Sequence, residues 1–451
     1  MTNNFPRLII AATQSGCGKT TITVGLLAAL KNRGLNVQPY KVGPDYIDTG
    51  WHTLAVGKIS HNLDSWLVGA NKLTEIFADT SRGADISVVE GVMGLYDGGR
   101  GGISSTAEIS KLLNTPVVLI IDAKSMGTSA AAIALGFREF DRTINLAGVI
   151  LNRLGSDSHK QMIVDALNAQ GIKCFGALKC NDEFRLPERH LGLVPTSEHQ
   201  ASDVLKKICA AVENQIDVDA LIELAKNSAP LKNFTRAEKF SPTVKIGIAR
   251  DAAFNFYYGA SLRELERFGA EIVYFSPLDD ETLPQVDGLI IGGGFPEMFA
   301  TRLERNKKIR TAIFHAAEDG LPIFAECGGF MYLMRNLVDF SGKSFEMCGV
   351  LDGSATMTDK LQTVGYVEAE LLRDCIIGTA GDKLHAHEFH FSTADTSDEK
   401  IFCCKKLRTG KEYFAGAVKK NVVASYLHVH FAGCPHVAEK FIAACREHGR
   451  A

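Results

Sequence analysis

A cysteine between a short apolar run and two glycines is the first residue whose setting suggests chemistry. The stretch LPIFAECGGFMYL, residues 321–333, places Glu326 and Cys327 at the end of the run, directly before the Gly-Gly pair. Free cysteine is among the most buried residue types, so packing is one interpretation. The other is a tight turn that lifts a thiolate into a cleft, where it attacks a substrate carbon.

A second stretch has the residues of a phosphate-binding loop. ATQSGCGKTT, residues 12–21, follows an apolar run and opens a helical pattern. The common loop reads G-x-x-x-x-G-K-[ST]; here Thr13 stands at the first glycine position. Backbone N–H groups and the helix N-terminus attract phosphate oxygens, the lysine reaches the terminal phosphates, and the hydroxyl ligates Mg²⁺. We therefore predict an ATP site that contains Gly16, Gly18, Lys19, Thr20 and Thr21.

Acidic residues follow two further predicted strands. They lie in YKVGPDYIDTGWH, residues 40–52, and VVEGVMGLYDG, residues 88–98. Ligands of a parallel sheet bind at the carboxyl ends of its strands, and carboxylates there suit Mg²⁺. Taken alone, each acid is more often a helix cap or a solvated loop residue. The candidates are Lys41, Asp45, Asp48, Glu90 and Asp97.

The elements that must position these residues form two α/β units. In the first half, short apolar runs alternate with helical patterns, which is typical of a parallel sheet covered on both faces. A polar stretch at 226–243 predicts a linker. A second α/β pattern follows it, then a region at 346–428 typical of antiparallel strands, and a C-terminal helix near 435–448. We expect one domain at 1–230 and another at 243–451.

Composition narrows the function classes. The chain has 451 residues, 46% hydrophobic and 22% charged, with a net charge of -3. Without a basic run we expect no nucleic-acid partner, and without a long apolar run no membrane span. The N-terminus lacks a signal-peptide layout, and the eleven cysteines have no disulfide-framework spacing, so we expect a cytoplasmic protein. The sequence does not determine the oligomeric state, and a homodimer is one of the alternatives.

The first half resembles the dethiobiotin synthetase group of P-loop enzymes. The resemblance lies in the Gly-x-Gly-Lys-Thr loop, a lysine after the second strand, and a Val-Glu-Gly strand end. It implies a P-loop NTPase fold, with Lys41 in the ATP site and Asn152 of GVILNR against adenine. It also implies that Thr20 and Glu90 bind Mg²⁺, with Asp45 or Asp48 as a third ligand.

The second half is similar to class I glutamine amidotransferases, which have a flavodoxin-like α/β fold. IIGGGFPE, AECGGF and ASYLHVHF follow one another in the order of that pattern. The likeness implies Cys327 as nucleophile and His428 as base, with an oxyanion hole from Gly328 and from Gly293 or Gly294. Many members end in His-Pro-Glu, whereas His430 stands at the glutamate position here. A Cys–His dyad, or an orienting group from elsewhere, stays open.

A cluster of histidines lies in KLHAHEFHFS, residues 383–392. On a strand, His385 and His387 share one face while Glu388 and His390 share the other. No known metal spacing accompanies them. We expect a strand near the amidotransferase cleft rather than a metal site.

Together the two halves resemble the cobyrinic acid a,c-diamide synthase family over essentially the whole chain. The matches include SGCGKTT, KVGPDYID, GGGFPE and ECGGFMYL. The resemblance implies amidation of the a and c acetates of a corrinoid tetrapyrrole acid, with ATP, Mg²⁺ and glutamine or ammonia, through an acyl phosphate. Candidates for the substrate side are Asp45, Tyr46, Ile47, Asp48 and Asp97.

Two kinds of alternative stay open. The substrate could instead be hydrogenobyrinic acid or a nickel sirohydrochlorin, while cobyric acid synthase fits less well. A different class is a nucleotide-dependent switch ATPase with a non-catalytic amidotransferase-like module, which predicts no glutaminase activity.

Overall fold

The computed structural model describes residues 4–184, 186, 198–231 and 241–450, with nothing stated for the side chains of 198–201. The chain divides into two compact units, residues 1–236 and 237–451. The predicted linker at 226–243 begins at the end of a helix, and residues 232–240 of it lie outside the described part.

The first unit is built on a parallel sheet. Its seven described strands have the order β3-β2-β4-β1-β5-β6-β7. Strands β1, β2 and β4 are buried along their whole length, and the mostly apolar sequences of β1 and β4 are typical of a sheet that is covered on both faces. The bounds are β1 Arg7–Ala12, β2 Val37–Val42, β3 His61–Leu63, β4 Ile86–Glu90, β5 Val117–Asp122, β6 Leu146–Leu154 and β7 Cys174–Lys179.

Helices connect the strands, so each crossover returns the chain for another parallel strand. Ser105 and Ser156 cap α5 and α7 by accepting backbone N–H groups of the first turn. The bounds are α1 Lys19–Asn32, α2 Ile47–Val56, α3 Ser65–Val68, α4 Ala70–Thr80, α5 Thr106–Leu112, α6 Ser129–Phe140, α7 Asp157–Ala169, α8 Glu198–Gln215 and α9 Val218–Lys226.

The second unit combines a mostly parallel sheet, β10-β8-β11-β13-β23-β22, with antiparallel strands. A five-stranded antiparallel sheet has the order β21-β20-β17-β18-β24. The bounds of the central strands are β8 Val244–Ala249, β9 Phe254–Phe256, β10 Ala270–Phe275, β11 Gly288–Ile291, β12 Gly293–Gly294 and β13 Ile323–Glu326. The later strands are β14 Met334–Val338, β15 Ser344–Glu346, β16 Leu351–Met357, β17 Thr363–Leu371, β18 Lys383–His390, β19 Ser392–Thr396, β20 Phe402–Lys406, β21 Glu412–Ala415, β22 Ala417–Lys419, β23 Val422–Ser425 and β24 His428–Val429.

The helices of the second unit pack their apolar residues against these sheets. Phe441, Ile442 and Cys445 of the last helix are buried in the core beside Ile246 and Phe324. The bounds are α10 Gly259–Arg267, α11 Ala300–Arg305, α12 Lys307–Glu318, α13 Gly328–Leu333 and α14 Pro435–His448.

The predicted elements are present, with one division. The α/β pattern of the second half predicts a single helix near 303–319, and the structure has two, α11 and α12, because the chain breaks at Asn306, whose φ of -78° and ψ of 64° are not helical. The histidine-rich segment is strand β18, as expected. Within the described ranges, no helix has the length and apolar character needed to cross a bilayer.

Candidate functional site

The phosphate loop lies between β1 and α1. Gly16 and Gly18 both have left-handed backbones, with φ of 79° and 91°. Gly18 is also confined by space, since a Cβ there would lie 2.3 Å from Nδ2 of Asn152. A side chain at this position would therefore be strained and would collide with Asn152. The structure places this loop and helix where phosphate binding requires them.

Asn152 braces the loop. Its side-chain amide donates to the Cys17 carbonyl at 2.8 Å, and its oxygen accepts the Arg153 N–H at 2.9 Å. The family likeness predicts that Asn152 also contacts adenine. The two protein contacts fix the orientation of its amide.

Lys19 connects the phosphate loop with the loop after β4. Its Nζ donates to the Met93 carbonyl at 2.6 Å and lies 3.4 Å from the Gln14 carbonyl. Burial, together with the charge of Lys41, lowers the pKa of Lys19. A nucleotide phosphate is a stronger acceptor than a carbonyl, so Lys19 is suited to exchange one for the other.

Glu90 is the centre of a buried ionic cluster. Its Oε1 accepts from Thr20 Oγ1 and from Lys41 Nζ, each at 2.8 Å, and its Oε2 lies 2.6 Å from Nε2 of His52. Lys41 also pairs with Asp48 at 2.6 Å. The structure thus brings together four of the predicted site residues.

Partners decide the charge states in this cluster. Burial opposes ionisation of Glu90, but Lys41 and His52 outweigh it and hold the pKa of this carboxyl well below its usual range. Burial alone would lower the pKa of Lys41, yet Glu90 and Asp48 together raise it. Burial raises the pKa of Asp48, and the charge of Glu90 adds to that rise.

His52 was not predicted as a site residue. It lies on α2, four residues after Asp48, and its Nδ1 is 3.1 Å from Ser60 Oγ. Residues four apart share a helix face, and His52 ends the stretch that drew attention to Asp48. That spacing is the signal that could have revealed it.

The other predicted residues of this unit lie at the same sheet edge with different contacts. Asp45 Oδ1 accepts the backbone N–H groups of Ile47 and Asp48, at 2.7 and 3.0 Å. It therefore stabilises the start of α2, next to Tyr46 at the N-cap position. Asp97 Oδ2 accepts the Gly94 N–H at 3.0 Å, and Thr21 lies in the first turn of α1.

The donor set was tested for Mg²⁺. Thr20 Oγ1 and Glu90 Oε1 are 2.8 Å apart, close to the ~2.9 Å that separates adjacent oxygens of an octahedral Mg²⁺ shell with ligands at about 2.0–2.1 Å. These two residues fit the ion. Asp45 accepts a backbone N–H at the start of α2, and Asp48 pairs with Lys41. No three His, Cys, Asp or Glu side chains of the described residues form a metal cage by themselves.

In the second unit, Cys327 lies on a strained turn between β13 and α13. Its φ of 49° and ψ of -103° are rare for a residue with a side chain, and its N–H donates to the Ser425 carbonyl at 2.7 Å. A sharp strand-to-helix turn of this kind presents a nucleophile at a sheet edge. Burial raises the pKa of the thiol to about 12, and nearby Glu297 contributes.

The predicted oxyanion loop lies against this turn. A Cβ on Gly328 would be 3.1 Å from the Gly294 nitrogen, and a Cβ on Gly293 would be 2.7 Å from Cε1 of His428. Gly294 has a φ of 155°, and a Cβ there would meet the Ala253 carbonyl at 2.0 Å. The three glycines and His428 are therefore close together, and only glycine fits at these positions.

His428 begins β24, just beyond strand β23, which pairs with β13, the strand that leads into Cys327. Burial lowers the pKa of His428 to about 3, and His387 and His390 contribute. Since the pKa of the Cys327 thiol is raised, both side chains are neutral at neutral pH. The charged pair must therefore form during the reaction.

His430, at the position of the usual glutamate, lies beside α10. Its ring stacks on Tyr258, with centroids 4.7 Å apart and planes at 19°, and its Nδ1 is 3.5 Å from Ser261 Oγ. These contacts direct it toward α10. Glu326, which was not predicted as a site residue, accepts the Val429 N–H at 2.8 Å; burial raises its pKa to about 8.

Comparisons with known proteins match both units of the chain. Residues 8–194 match the CobQ/CobB/MinD/ParA nucleotide binding domain, and residues 245–435 match the CobB/CobQ-like glutamine amidotransferase domain. The molecule is therefore a glutamine amidotransferase joined to a P-loop nucleotide-binding domain in one chain. The predicted fold class is confirmed.

The particular family follows from full-length relatives. Cobyrinate a,c-diamide synthase of Dehalococcoides mccartyi is 43% identical, over 97% of this chain and 98% of the relative. The enzymes of Picrophilus torridus and Salmonella typhimurium are each 42% identical, over 97% of this chain and 98% of the relative. The chain belongs to the cobyrinate a,c-diamide synthase family, and the predicted resemblance is confirmed. Its class is that of carbon–nitrogen ligases that use glutamine, which disfavours the switch ATPase.

Proposed function

We propose that this enzyme amidates the a and c acetate carboxylates of cobyrinic acid in cobalamin biosynthesis, using ATP and glutamine. The observation that carries the proposal is the presence, in one chain, of a phosphate loop beside the Glu90 cluster and a Cys327 turn beside His428. Full-length relatives named for this reaction support the choice of substrate.

The synthetase domain, for which we propose residues 1–230 of the first unit, would activate the carboxylate. A free carboxylate is a poor acceptor for ammonia, so ATP converts it to an acyl phosphate and releases ADP. Lys19 would leave the Met93 carbonyl to hold the terminal phosphates. Mg²⁺, held by Thr20 and Glu90, would neutralise phosphate charge. Lys41 would keep Glu90 ionised.

The substrate side of this site is proposed for the segment after β2 and the loop after β4. Asp45 and Asp97 order their own loops through backbone N–H groups, which would fix the surface that meets the corrinoid acid. We assign the whole predicted set to this role: Asp45, Tyr46, Ile47, Asp48 and Asp97.

The second unit, assigned to residues 243–451, would release ammonia from glutamine. The Cys327 thiol gives its proton to His428 and attacks the amide carbon. The oxyanion would accept N–H groups of Gly328 and of Gly293 or Gly294. His428 then protonates the leaving nitrogen, so ammonia departs and a thioester remains, which water hydrolyses to glutamate. Ammonia displaces phosphate from the acyl phosphate and forms the amide.

A substrate panel tests the proposal. The protein is incubated with ATP, Mg²⁺ and ¹⁵N-amide glutamine, together with cobyrinic acid, hydrogenobyrinic acid or nickel sirohydrochlorin, and products are read by mass spectrometry. We expect two ¹⁵N-labelled amides on cobyrinic acid, and none when ATP is omitted. Labelling of another tetrapyrrole in preference would replace the proposed substrate.

We place the enzyme in the cytoplasm, where ATP and glutamine are available.

A further inference from the structure

The histidine-rich strand β18 is the part of the amidotransferase unit that the reaction above does not use. It belongs to the same antiparallel sheet as β24, the two-residue strand that begins with His428. The residue that orients His428 is also unassigned, because His430 is directed toward Tyr258 and Ser261. The pairing of β18 with β24 connects these two observations, because it places the unused histidines beside the strand that carries His428.

That register places His387 directly opposite His428. Ala386 is likewise opposite Val429, so both described pairs agree. Side chains directly opposite in an antiparallel pair point to the same face, with Cβ atoms about 4.5–5.5 Å apart. The two imidazoles are therefore neighbours on one face of the sheet.

The ring of His387 is also held from its other side. Tyr366 on β17 is opposite His387, and their ring centroids are 5.6 Å apart with planes at 68°. An edge-to-face contact of this kind limits the orientations of the imidazole. Tyr366, His387 and His428 thus form a row across three strands that ends at the base of the proposed glutaminase.

We propose that His387 is the positioning residue of His428. Its ring would accept a hydrogen bond from the His428 N–H on the side away from Cys327 once the base carries the thiol proton, and would so hold the base in place. This inference rests on the proposed glutaminase function of Cys327 and His428. His387 would take the place that a glutamate has in many class I amidotransferases.

The charge states agree with this role. Burial lowers the pKa of His387 to about 4, so its ring is neutral and can accept at neutral pH. A protonated His387 would repel the imidazolium, which is how it lowers the pKa of His428, whereas the neutral ring present at neutral pH can accept the His428 N–H when the thiol proton arrives.

Other groups near His428 have separate attachments. His390 stacks on Tyr426, with ring centroids 3.8 Å apart, and its Nδ1 is 2.8 Å from the Ser392 carbonyl. Burial lowers the pKa of His390 to about 4 as well. Glu326 holds the backbone of β24 through the Val429 N–H. The register of β18 and β24, together with the contact of His387 with Tyr366, is what assigns this role to His387.

The test compares variants of the full-length protein. His387→Phe removes the acceptor and keeps a ring, while His387→Gln restores an acceptor. His385→Phe is the matched control, since His385 lies on the same strand and face but opposite Glu368. His430→Phe tests the residue at the usual glutamate position. Glutaminase kcat and KM, ammonia-dependent synthesis, and the pH dependence of Cys327 alkylation by iodoacetamide are measured.

We expect His387→Phe to lower glutaminase kcat by about tenfold to a hundredfold, with little change in KM for glutamine. Ammonia-dependent synthesis should persist, and alkylation of Cys327 should shift to higher pH because His428, no longer held in place, accepts the thiol proton less readily. His387→Gln should recover part of both losses, and His385→Phe should resemble the wild type.

Several outcomes would overturn the inference. One is a His387→Phe protein whose kcat and alkylation profile match those of His385→Phe. Another is the same loss in His430→Phe with none in His387→Phe. If His387→Phe fails to fold, an inactive His387→Gln with an unshifted alkylation profile would also refute it. A wild type that does not hydrolyse glutamine refutes the glutaminase function itself, a result distinct from any of these.

Discussion

Glu90 and Glu326 end buried parallel strands in two different units, yet at neutral pH Glu90 is ionised and Glu326 is mostly protonated. Glu90 meets the ammonium of Lys41 and the ring of His52, and its pKa lies well below the usual range. Glu326 meets the N–H of Val429, and burial raises its pKa to about 8. Burial is therefore common to both, and the partner decides the charge.

The same contrast separates the two sites. The first unit keeps charged groups together in its interior, which suits a site that must receive the charges of ATP and a carboxylate. The second keeps Cys327 and His428 neutral, with pKa values of about 12 and 3, so charge develops only when a substrate enters. Substitutions that break one pattern should leave the other intact.

Lys19→Ala should have the largest effect, because it removes the cation that would bind the terminal phosphates. We expect no detectable synthesis with either glutamine or ammonia, while glutaminase activity persists. Lys31→Ala, at the exposed end of the same helix, is the control. Near-normal ammonia-dependent product from Lys19→Ala would remove the phosphate-loop assignment.

Cys327→Ser should separate the activity of the second unit from that of the first. The change keeps a similar size, so the fold should hold. A serine hydroxyl has too high a pKa to ionise beside His428, so glutamine should fail as nitrogen donor. High ammonium at alkaline pH should restore diamide formation, because ammonia bypasses the thioester. Cys403→Ser, on β20, is the matched control.

Either of two results would contradict this view of Cys327. If the serine variant still used glutamine well, the cysteine would be a packing residue. If it lost ammonia-dependent activity while remaining folded, the division of labour between the units would be wrong.

Glu90→Gln should reduce Mg²⁺-dependent synthesis and also destabilise the first unit. Removing one partner of a buried ion pair costs about 3–5 kcal/mol, because Lys41 stays buried with less compensation. Since the folded pKa of Glu90 is depressed, this stability is present above the unfolded pKa and is lost as pH falls through the folded pKa. The difference from the wild type should therefore shrink in acid.

Urea titrations followed by tryptophan fluorescence measure this effect, because Trp51 and Trp66 both lie in the first unit. Glu75→Gln, on the exposed surface of α4, is the control. Wild-type activity of Glu90→Gln at saturating Mg²⁺ would exclude Glu90 as an important ligand.

The sequence predicted the contacts that follow from strand order. Lys41 and Glu90 end neighbouring parallel strands, so their approach could be inferred from the α/β pattern. Cys327 was predicted on its turn because a Gly-Gly pair permits a strand to change into a helix at once. The family likeness, confirmed by full-length relatives, supplied the rest of the assignment.

Other features depended on geometry that no spacing specifies. Asp45 binds two backbone N–H groups because α2 begins at Ile47, and that boundary was not predictable. Asn152 holds the Cys17 carbonyl because Gly18 leaves room for its amide. His428 leaves the parallel sheet and pairs with β18, a contact between segments about forty residues apart.

Glu326→Gln should have the smallest effect, and of opposite sign to that of Glu90→Gln. Because the folded pKa of Glu326 is raised to about 8, native stability is fully present below the unfolded pKa and declines as pH rises toward 8. Glutamine does not ionise and still accepts the Val429 N–H. We therefore expect the variant to be more stable than the wild type at pH 8, by an amount that shrinks as the pH falls and vanishes near pH 4.5. Urea titrations by circular dichroism, with the tryptophan transition as internal reference and Glu271→Gln on β10 as control, measure it. A gain that is independent of pH would mean that Glu326 is ionised in the folded protein, and the contrast with Glu90 would then be wrong.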